Sequence, residues 1–404
     1  MTAASALTGD ARLLIAGQGL RAAGYGFTAV VLGALLAARG YSHLRAGLVL
    51  TAVIAGTAVS SLLVGTVADR AGRRLSYGVF FVGIAVAGAV LSAGAPFWLL
   101  LTVGLTGTLS TDVVDNGPAT TLEQVMLAAE DAGSSRVYGR YNAVGAGCGA
   151  FGALAAALPG LGHGGGLPAG LFGVLIPVGV LGAVLASRLS PTVEADRGPI
   201  QGLGSSRRTV HRLAALFAVD AGGGGLVTTG FLSYFFAQRF GVTLVALGWL
   251  FFTVALVQAG SVLLAPMLAR HYGLVATMVG THLPSNVLLA SIAFAPTFAV
   301  AAVLLLARTT LSQMDVPTRQ ALVMTAVTPS ERTAAAAVTN AARYSVRPVG
   351  PLLAGAAQQV ALGAPLLIAG LVKAGYDLAL WHWARHLPLQ THPPAVVSSS
   401  EDLS

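Results

Sequence analysis

Long apolar stretches that contain almost no charge dominate this sequence. Each has about 20 residues, the length at which a helix crosses a hydrocarbon core roughly 30 Å thick. A helix also satisfies its own backbone hydrogen bonds, as lipid requires. Apolar residues make up 55% of the chain and charged residues only 9%. We therefore predict an all-α polytopic membrane protein with 12 transmembrane helices, at 13–36, 46–66, 75–94, 97–118, 137–158, 168–187, 213–237, 244–265, 274–294, 297–318, 333–357 and 364–385.

The arginines fall unevenly on the two sides of the predicted bundle. With the amino terminus in the cytoplasm, fifteen lie on the cytoplasmic side and only Arg39, Arg45 and Arg239 on the other. Basic residues concentrate in the cytoplasmic loops of membrane proteins. The bias predicts a multi-pass protein of the cell inner (plasma) membrane with both termini in the cytoplasm. It also explains the net charge of +8 without a nucleic-acid partner.

The chain contains an internal repeat. An ungapped shift of 200 residues aligns residues 12–70 with 212–270 at fourteen identical positions, Arg39 with Arg239 among them. Parallel repeats related by an axis along the membrane normal occur in several transporter folds. We predict a first six-helix half at 1–187, a cytoplasmic linker at 188–212, a second half at 213–387 and a cytoplasmic tail at 388–404.

A short polar loop joins the second predicted span to the third. It reads Gly65-Thr66-Val67-Ala68-Asp69-Arg70-Ala71-Gly72-Arg73-Arg74. One acid lies among three arginines, which are costly in lipid, and the glycines permit a sharp turn. The string resembles the G-x-x-x-D-R-x-G-R-R signature of the major facilitator superfamily (MFS) of secondary transporters. The resemblance implies the MFS fold, in which two six-helix halves related by a pseudo-twofold axis expose a central site to alternate sides.

The same resemblance implies a conformational latch. In the superfamily, the acid of this loop approaches helix 11 when the cytoplasmic side is shut. That assigns the latch to Asp69, with neighbouring charge contacts from the three arginines. The latch loop residues are Gly65, Asp69, Arg70, Gly72, Arg73 and Arg74.

Further strings are similar to prokaryotic efflux-type members of the superfamily. They are Met314-Asp315-Val316-Pro317-Thr318-Arg319-Gln320, Pro329-Ser330-Glu331-Arg332-Thr333-Ala334-Ala335 with Thr339-Asn340, and, in the first half, Asn116-Gly117-Pro118, Glu123-Gln124 and Tyr141-Asn142. The resemblance implies a secondary transporter, not an enzyme, that exports a small solute or drug-like compound with the proton as coupling ion and no cofactor. The alternatives are a facilitator or proton-linked importer on the same fold, or a sensor that has lost transport. We expect a monomer in the lipid bilayer.

The region around the tenth and eleventh spans supplies gate candidates. Thr328 and Glu331 fit a T-x-x-E capping box, with proline at the first helical position. Asp315 is predicted at the cytoplasmic end of its span, which favours a gate role. Arg343 and Arg347, four apart on one helix face, fit an inter-helix pair or a substrate contact. The gate candidates are Asp315, Arg319, Glu331, Arg332, Asn340, Arg343 and Arg347.

Charged residues inside the predicted spans are expensive unless they are paired or hydrated. Asp112 and Asp115 share one face of a predicted helix near its cytoplasmic end, where they fit a proton carrier or a paired gate. Asp220 precedes four glycines and fits a coupling or substrate residue, or a partner in a salt bridge to Arg21 or Arg308.

Two further basic residues complete the set. Arg308, near mid-membrane, is a candidate for binding an anionic or polar substrate group. Lys373 is the only lysine and is followed four residues later by Asp377, which predicts an ion pair on one helix face. The cavity and coupling candidates are Arg21, Asp112, Asp115, Asp220, Arg308, Lys373 and Asp377.

Overall fold

The computed structural model describes residues 7–112, 117–130, 135–158, 169–194 and 202–385. All regular structure in these residues is helical. In chain order the α-helices are α1 Gly9–Ala38, α2 His43–Ala71, α3 Arg73–Ala93, α4 Phe97–Leu105, α5 Pro118–Glu130, α6 Ser135–Ala155, α7 Leu175–Ser187, α8 Arg207–Gly225, α9 Thr229–Phe240, α10 Leu244–Tyr272, α11 Leu274–Ile292, α12 Phe298–Ser312, α13 Asp315–Thr325, α14 Arg332–Val346, α15 Val349–Ala357 and α16 Ala364–Ala384. Short 3-10 helices lie at Ala169–Val174, Pro191–Glu194 and Pro329–Glu331.

Nine helical segments of the described residues are long and apolar enough to cross a membrane. They coincide with nine of the predicted spans. The other three predicted spans, 97–118, 137–158 and 333–357, fall on α4 with α5, on α6, and on α14 with α15. The all-helical architecture is confirmed, and the count of twelve stays a prediction.

Several passes through the bundle consist of two helices with a break between them. The glycine run Gly222–Gly225 ends α8, and α9 begins at Thr229, where the Thr228 hydroxyl accepts a hydrogen bond from the Phe231 amide at 3.2 Å. Glycine weakens a helix interior, so this break lies where the sequence indicates it. The breaks matter because they leave backbone groups free to bind partners from other helices.

The break between α4 and α5 contradicts one prediction. The chain leaves the helix after Leu105 and is helical again only from Pro118 to Glu130. Asp112 therefore lies outside any helix, and its predicted helix-face pairing with Asp115 is wrong. Asp115 itself falls among residues 113–116, outside the described residues.

Helix bounds recur along the chain at a spacing of 201 residues. α2 and α10 each have 29 residues, and they end at Gly72 and Gly273, whose φ values are +94° and +87°. Glycine adopts this backbone without a steric penalty. α3 and α11 begin at the next residue in both copies.

The ungapped repeat shift of 200 residues is therefore wrong by one residue in this region. The Arg39 and Arg239 side chains donate to the carbonyls of Ala95 and Ala295, which keeps the spacing of 200. The next glycines with positive φ are Gly40, one residue after Arg39, and Gly241, two residues after Arg239. The second copy therefore has one extra residue after its arginine. The predicted division into 1–187, 188–212, 213–387 and 388–404 stays a prediction, and residues 388–404 lie outside the described residues.

The helices run between two ends of the bundle. We call the end that holds the starts of α1 and α8 the linker end, and the end that holds the α1–α2 and α9–α10 connections the far end. The Ser233 hydroxyl donates to the Val30 carbonyl at 2.8 Å. The Tyr234 hydroxyl donates to the Tyr41 carbonyl at 3.0 Å and lies 3.0 Å from Nδ1 of His43. Residues 7–194, the first half, and 202–385, the second half, thus bind each other at the far end.

Helix packing between the halves is also close at the far end. A Cβ on Gly47 of α2 would lie 2.5 Å from the Pro351 carbonyl oxygen of α15, and one on Gly248 of α10 would lie 2.9 Å from Ala157. Small residues allow helices to approach this closely in a membrane. The far end of the bundle is closed in this conformation.

Candidate functional site

The superfamily signature lies at the linker end, but the predicted ten-residue loop is wrong. α2 continues to Ala71 and α3 begins at Arg73, so only Gly72, with φ of +94°, lies between the two helices. Arg70 is exposed. The Arg73 and Arg74 amides, at the start of α3, donate to the two carboxylate oxygens of Glu194 at 2.7 and 2.8 Å. The dipole at a helix start stabilises such a carboxylate. The start of α3 therefore binds the first turn of the predicted linker. A latch contact with the eleventh predicted span, which falls on α14 and α15, stays a prediction. The structure does not describe the side chains of Thr66, Val67 and Asp69 or the surroundings of Gly65.

Arg21 of α1 belongs to a buried cluster within the first half. It pairs with Glu123 of α5 at 2.9 Å, and the two side chains are 1% and 0% exposed. The Tyr77 and Tyr141 hydroxyls donate to the same carboxylate at 2.7 and 2.5 Å. The alternative that Asp220 pairs with Arg21 is wrong, because Glu123 neutralises the guanidinium within the first half.

Asp112 connects the two halves at the break between α4 and α5. Its carboxylate forms an ion pair with Arg347 of the second half and accepts from the Thr229 amide at 3.2 Å. The neighbouring Thr111 carbonyl accepts from the Gly230 amide at 2.8 Å. Since α9 begins here, Asp112 lies in the middle of the bundle, and its predicted place near the cytoplasmic end is wrong.

Asp220 is the centre of a buried network in the second half. Lys373 of α16 forms a hydrogen-bonded ion pair with its Oδ1 atom. The same carboxylate lies 3.7 Å from Arg319 of α13 and 3.8 Å from Nε2 of His282 of α11. A single buried acid therefore connects α8, α11, α13 and α16.

Asp377 also belongs to this network, but with other partners than predicted. It lies 2.8 Å from Nδ1 of His282, and it accepts a hydrogen bond from Asn286 at 2.8 Å. Lys373 points to Asp220 instead of to Asp377. The predicted pair between Lys373 and Asp377 is wrong, because both residues find closer partners on α8 and α11.

The gate candidates Asp315 and Arg319 extend the network. They lie four apart on α13 and form an ion pair at 2.5 Å, and both are buried. Because Arg319 also approaches Asp220, any movement of α13 changes the surroundings of that carboxylate. The gate role of the pair stays a prediction.

Arg308 of α12 and Arg343 of α14 differ from the other basic residues of the interior. Each keeps part of its side chain accessible while its Nε atom is buried and has no hydrogen-bond partner among the described residues. Both interact electrostatically with Asp220. Asn340 is exposed three residues before Arg343. Arg347, the residue that follows α14, keeps helical backbone angles and lies four after Arg343, so this face of α14 is polar.

Glu331 binds the second end of the linker instead of capping α14. Its carboxylate accepts hydrogen bonds from the Gly204 amide and, at 2.9 Å, from the Thr328 hydroxyl. The side-chain hydroxyls of Ser206 and Thr328, followed by the backbone amides, lower the pKa of Glu331 to about 2. The predicted capping box is wrong: Pro329–Glu331 forms a 3-10 turn, and α14 begins at Arg332. Arg332 donates to a carbonyl of α13 at 3.1 Å.

Sequence reasoning missed Tyr77, Glu123, Tyr141, His282 and Asn286 as members of these networks. Glu123 lies beyond the predicted end of the fourth span at 118, so it was not counted as an interior acid. His282 and Asn286 lie inside the predicted ninth span, four residues apart, and carry no formal charge. A search for every polar side chain within a span, not only the charged ones, would have found all but Glu123.

Apolar helices with ion-paired charges between them, arranged around breaks in the passes, are the architecture of a membrane transporter. The family comparison makes the class definite. The chain belongs to the Major Facilitator Superfamily, whose family model matches residues 14–351. It is therefore a multi-pass membrane transporter that binds a small-molecule substrate, and not an enzyme.

Known proteins similar to the chain agree with this fold. The Uncharacterized membrane protein YJR124C of Saccharomyces cerevisiae is 28% identical over 392 residues, which cover 86% of this chain and 87% of the yeast protein. The nucleoside transporter NupG superimposes with a TM-score of 0.71 at 14% identity, over 92% of this chain and 97% of that one. A D-xylose-proton symporter superimposes with a TM-score of 0.67 at 15% identity, over 92% and 97%. At these identities the solved structures show the fold alone.

Proposed function

We propose that this protein exports a small solute or drug-like compound by alternating access, and that proton entry drives the export. The observation that carries the proposal is the Asp220 carboxylate, which contacts Lys373, Arg319 and His282 from three other helices. We place the protein in the plasma membrane as a monomer, with both termini in the cytoplasm.

The far-end contacts support an alternating-access cycle. The halves bind each other through Ser233 and Tyr234 at the far end. The Asp112–Arg347 pair, whose members keep 19% and 31% of their side-chain surface, lies at mid-depth. We interpret this conformation as closed at the far end and open towards the linker end. Rocking of one half against the other would open the far end in turn.

The Asp220 network supports proton coupling. A carboxylate that gains a proton loses its charge, and with it the attraction to Lys373 and Arg319. Breaking one buried pair leaves an uncompensated charge, which is costly. Protonation of Asp220 therefore favours a rearrangement of α8, α13 and α16. α8 is followed directly by α9, which carries Ser233 and Tyr234. A movement of α8 can therefore reach the contacts between the halves.

Flux measurements in proteoliposomes test the proposal. Radiolabelled uridine, D-xylose and salicylate, together with ethidium, are supplied with and without an imposed pH gradient, and trapped pyranine reports proton movement. We expect at least one probe to move against its gradient while protons move the opposite way. In the Asp220→Asn variant we expect exchange of the probe without a gradient to persist, and accumulation driven by protons to be lost.

Asp10→Asn is the matched control. Asp10 is a carboxylate at the linker end that accepts a hydrogen bond from the Ser190 amide at 3.0 Å, outside the network. We expect the Asp10→Asn variant to couple probe transport to proton movement as the parent protein does. Normal proton-driven accumulation in Asp220→Asn contradicts the coupling role. Proton and probe movement in the same direction would identify a proton-linked importer, and probe flux insensitive to the gradient a facilitator.

A further inference from the structure

We infer that the substrate is a small organic anion and that Arg308 and Arg343 bind its acidic group between the two halves. The inference rests on the proposed transport function and names the substrate class of the same site. It begins from an imbalance of charge. Arg347 is neutralised by Asp112 of the first half. Among the other described residues of the second-half interior, four cations face three carboxylates when His282 is neutral. The cations are Arg308, Arg319, Arg343 and Lys373, and the carboxylates are Asp220, Asp315 and Asp377.

Each carboxylate already has a cation or an imidazole as its partner. Asp220 binds Lys373, Asp315 binds Arg319 through Oδ2, and Asp377 lies against His282. Oδ1 of Asp315 has no hydrogen-bond partner among the described residues, so neither remaining arginine binds it. The two remaining guanidiniums, of Arg308 and Arg343, are attracted by Asp220 but form no hydrogen bond within the described residues.

Depth places both arginines at the midplane of the bundle. Arg308 is the eleventh residue of α12, about 15 Å from the far end of that helix at 1.5 Å per residue. Arg343 is the twelfth residue of α14, about 17 Å from its linker end. Transport sites of such repeat folds lie near the bilayer midplane, between the halves.

The accessible surface of both side chains indicates an aqueous passage. An arginine exposed to lipid at this depth is expensive, so the half-buried guanidiniums face water rather than hydrocarbon. Arg343 also shares its helix face with Arg347, which binds Asp112 of the first half. That face of α14 therefore points across the passage to the first half.

An anion would supply the negative charge and the hydrogen-bond acceptors that this pair of arginines lacks within the described residues. Arginine presents planar donors that match a carboxylate or phosphate. One acidic group would neutralise the excess positive charge and accept hydrogen bonds from both side chains. A cationic substrate would add to the repulsion, and a neutral one would leave the charge uncompensated.

Binding to the full-length chain in detergent micelles tests this inference without any flux. The probes are salicylate, succinate and inorganic phosphate, with salicylamide as the neutral match of salicylate, at ionic strength fixed with sodium chloride. Thermal unfolding reports binding, because a ligand of the folded state raises the unfolding temperature with concentration. We expect saturable stabilisation by at least one anion and none by salicylamide. Arg308→Gln and Arg343→Gln should each weaken the apparent affinity about ten-fold or more, since a charged hydrogen bond is lost. The exposed Arg208→Gln should not.

The unliganded variants give a second reading. The Arg308 side chain forms no hydrogen bond within the described residues, so Arg308→Gln breaks none and should unfold at the same temperature as the parent protein or higher. Unfolding of unliganded Arg308→Gln well below the parent would show a structural role and overturn the inference. Equal stabilisation by salicylate and salicylamide, or none by any of the three anions, would overturn it as well.

The two proposals fail separately. Arginine-dependent anion binding without flux in proteoliposomes would contradict transport and leave the binding site standing. Proton-driven flux of ethidium or D-xylose without anion binding would contradict the substrate class and leave transport standing.

Discussion

Glu123 shows how one residue sets the character of a buried cluster. Its carboxylate neutralises Arg21 and accepts from two tyrosines, all within the first half. Every one of these side chains is at most 1% exposed. Because these four side chains all come from the first half, we interpret the cluster as the structural centre of that half. Arg308 and Arg343 are the contrast, since they have charge without a hydrogen-bond partner in the described residues.

Glu123→Gln tests this interpretation. The amide keeps the shape but leaves the Arg21 charge uncompensated, so we expect a loss of about 3–5 kcal/mol of stability. Tyr77→Phe, which removes one hydrogen bond to the same carboxylate, should cost about 1.5–3 kcal/mol. Thermal unfolding in detergent measures both.

A double variant, Arg21→Met with Glu123→Leu, removes both charges. Apolar replacement of a whole buried pair is often neutral, so we expect most of the stability to return. A double variant as unstable as Glu123→Gln would show that the uncompensated charge of Arg21 is not the cause of the loss.

At the scale of elements, carboxylates hold both ends of the predicted linker, and Asp10 adds to the first end by accepting from the Ser190 amide. Glu194 binds the amides at the start of α3, and Glu331 binds the Gly204 amide ahead of α8. The signature string and the turn before α14 thus hold the linker from both halves. The sequence marked both strings as important, but it assigned Glu331 to a helix cap, because the T-x-x-E pattern is the same in the two arrangements.

The attachment by Glu331 has a defined pH dependence. Its pKa falls from the usual 4.5 to about 2, so the folded state favours the ionised form. The stabilisation is present above pH 4.5 and is lost as the pH falls towards 2. Amide hydrogen exchange at residues 202–206 should therefore show equal protection between pH 5 and 8.

Glu331→Gln should remove that protection throughout the range, because the amide side chain is a weaker acceptor than a carboxylate. Glu194→Gln is the matched control, since it releases the other end of the linker and should leave residues 202–206 protected. Unchanged exchange in Glu331→Gln would show that the carboxylate does not hold this segment.

In the whole molecule, the two halves bind each other through far-end contacts and, at mid-depth, through the Asp112–Arg347 ion pair. The proposed alternating-access cycle requires that the far-end contacts break. Gln238 of α9 donates to the Ala37 carbonyl of α1 at 3.4 Å, and both residues keep accessible surface. A covalent bond at this point would hold the far end shut. The site could then open only towards the linker end.

We expect a bis-methanethiosulfonate cross-link between Ala37→Cys and Gln238→Cys, in a Cys148→Ser background, to lower flux in proteoliposomes about ten-fold or more, and reduction of the cross-link to restore it. Ser60→Cys with Thr106→Cys is the control, because the Ser60 hydroxyl donates to the Thr106 carbonyl at 3.2 Å within one half. Full flux in the cross-linked inter-half pair would rule out opening at the far end.

The sequence by itself determined that the chain is a helical membrane protein of this superfamily, because hydropathy over ~20 residues and a ten-residue signature string are local signals. The end of α8 at Gly222–Gly225 is likewise a local effect, since glycine weakens a helix through its own backbone. Partners of the interior charges were decided only by tertiary structure. Lys373 and Asp377 are neighbours on one helix, yet each pairs with another helix, because buried charges bind the nearest complement in space and sequence separation does not encode that distance.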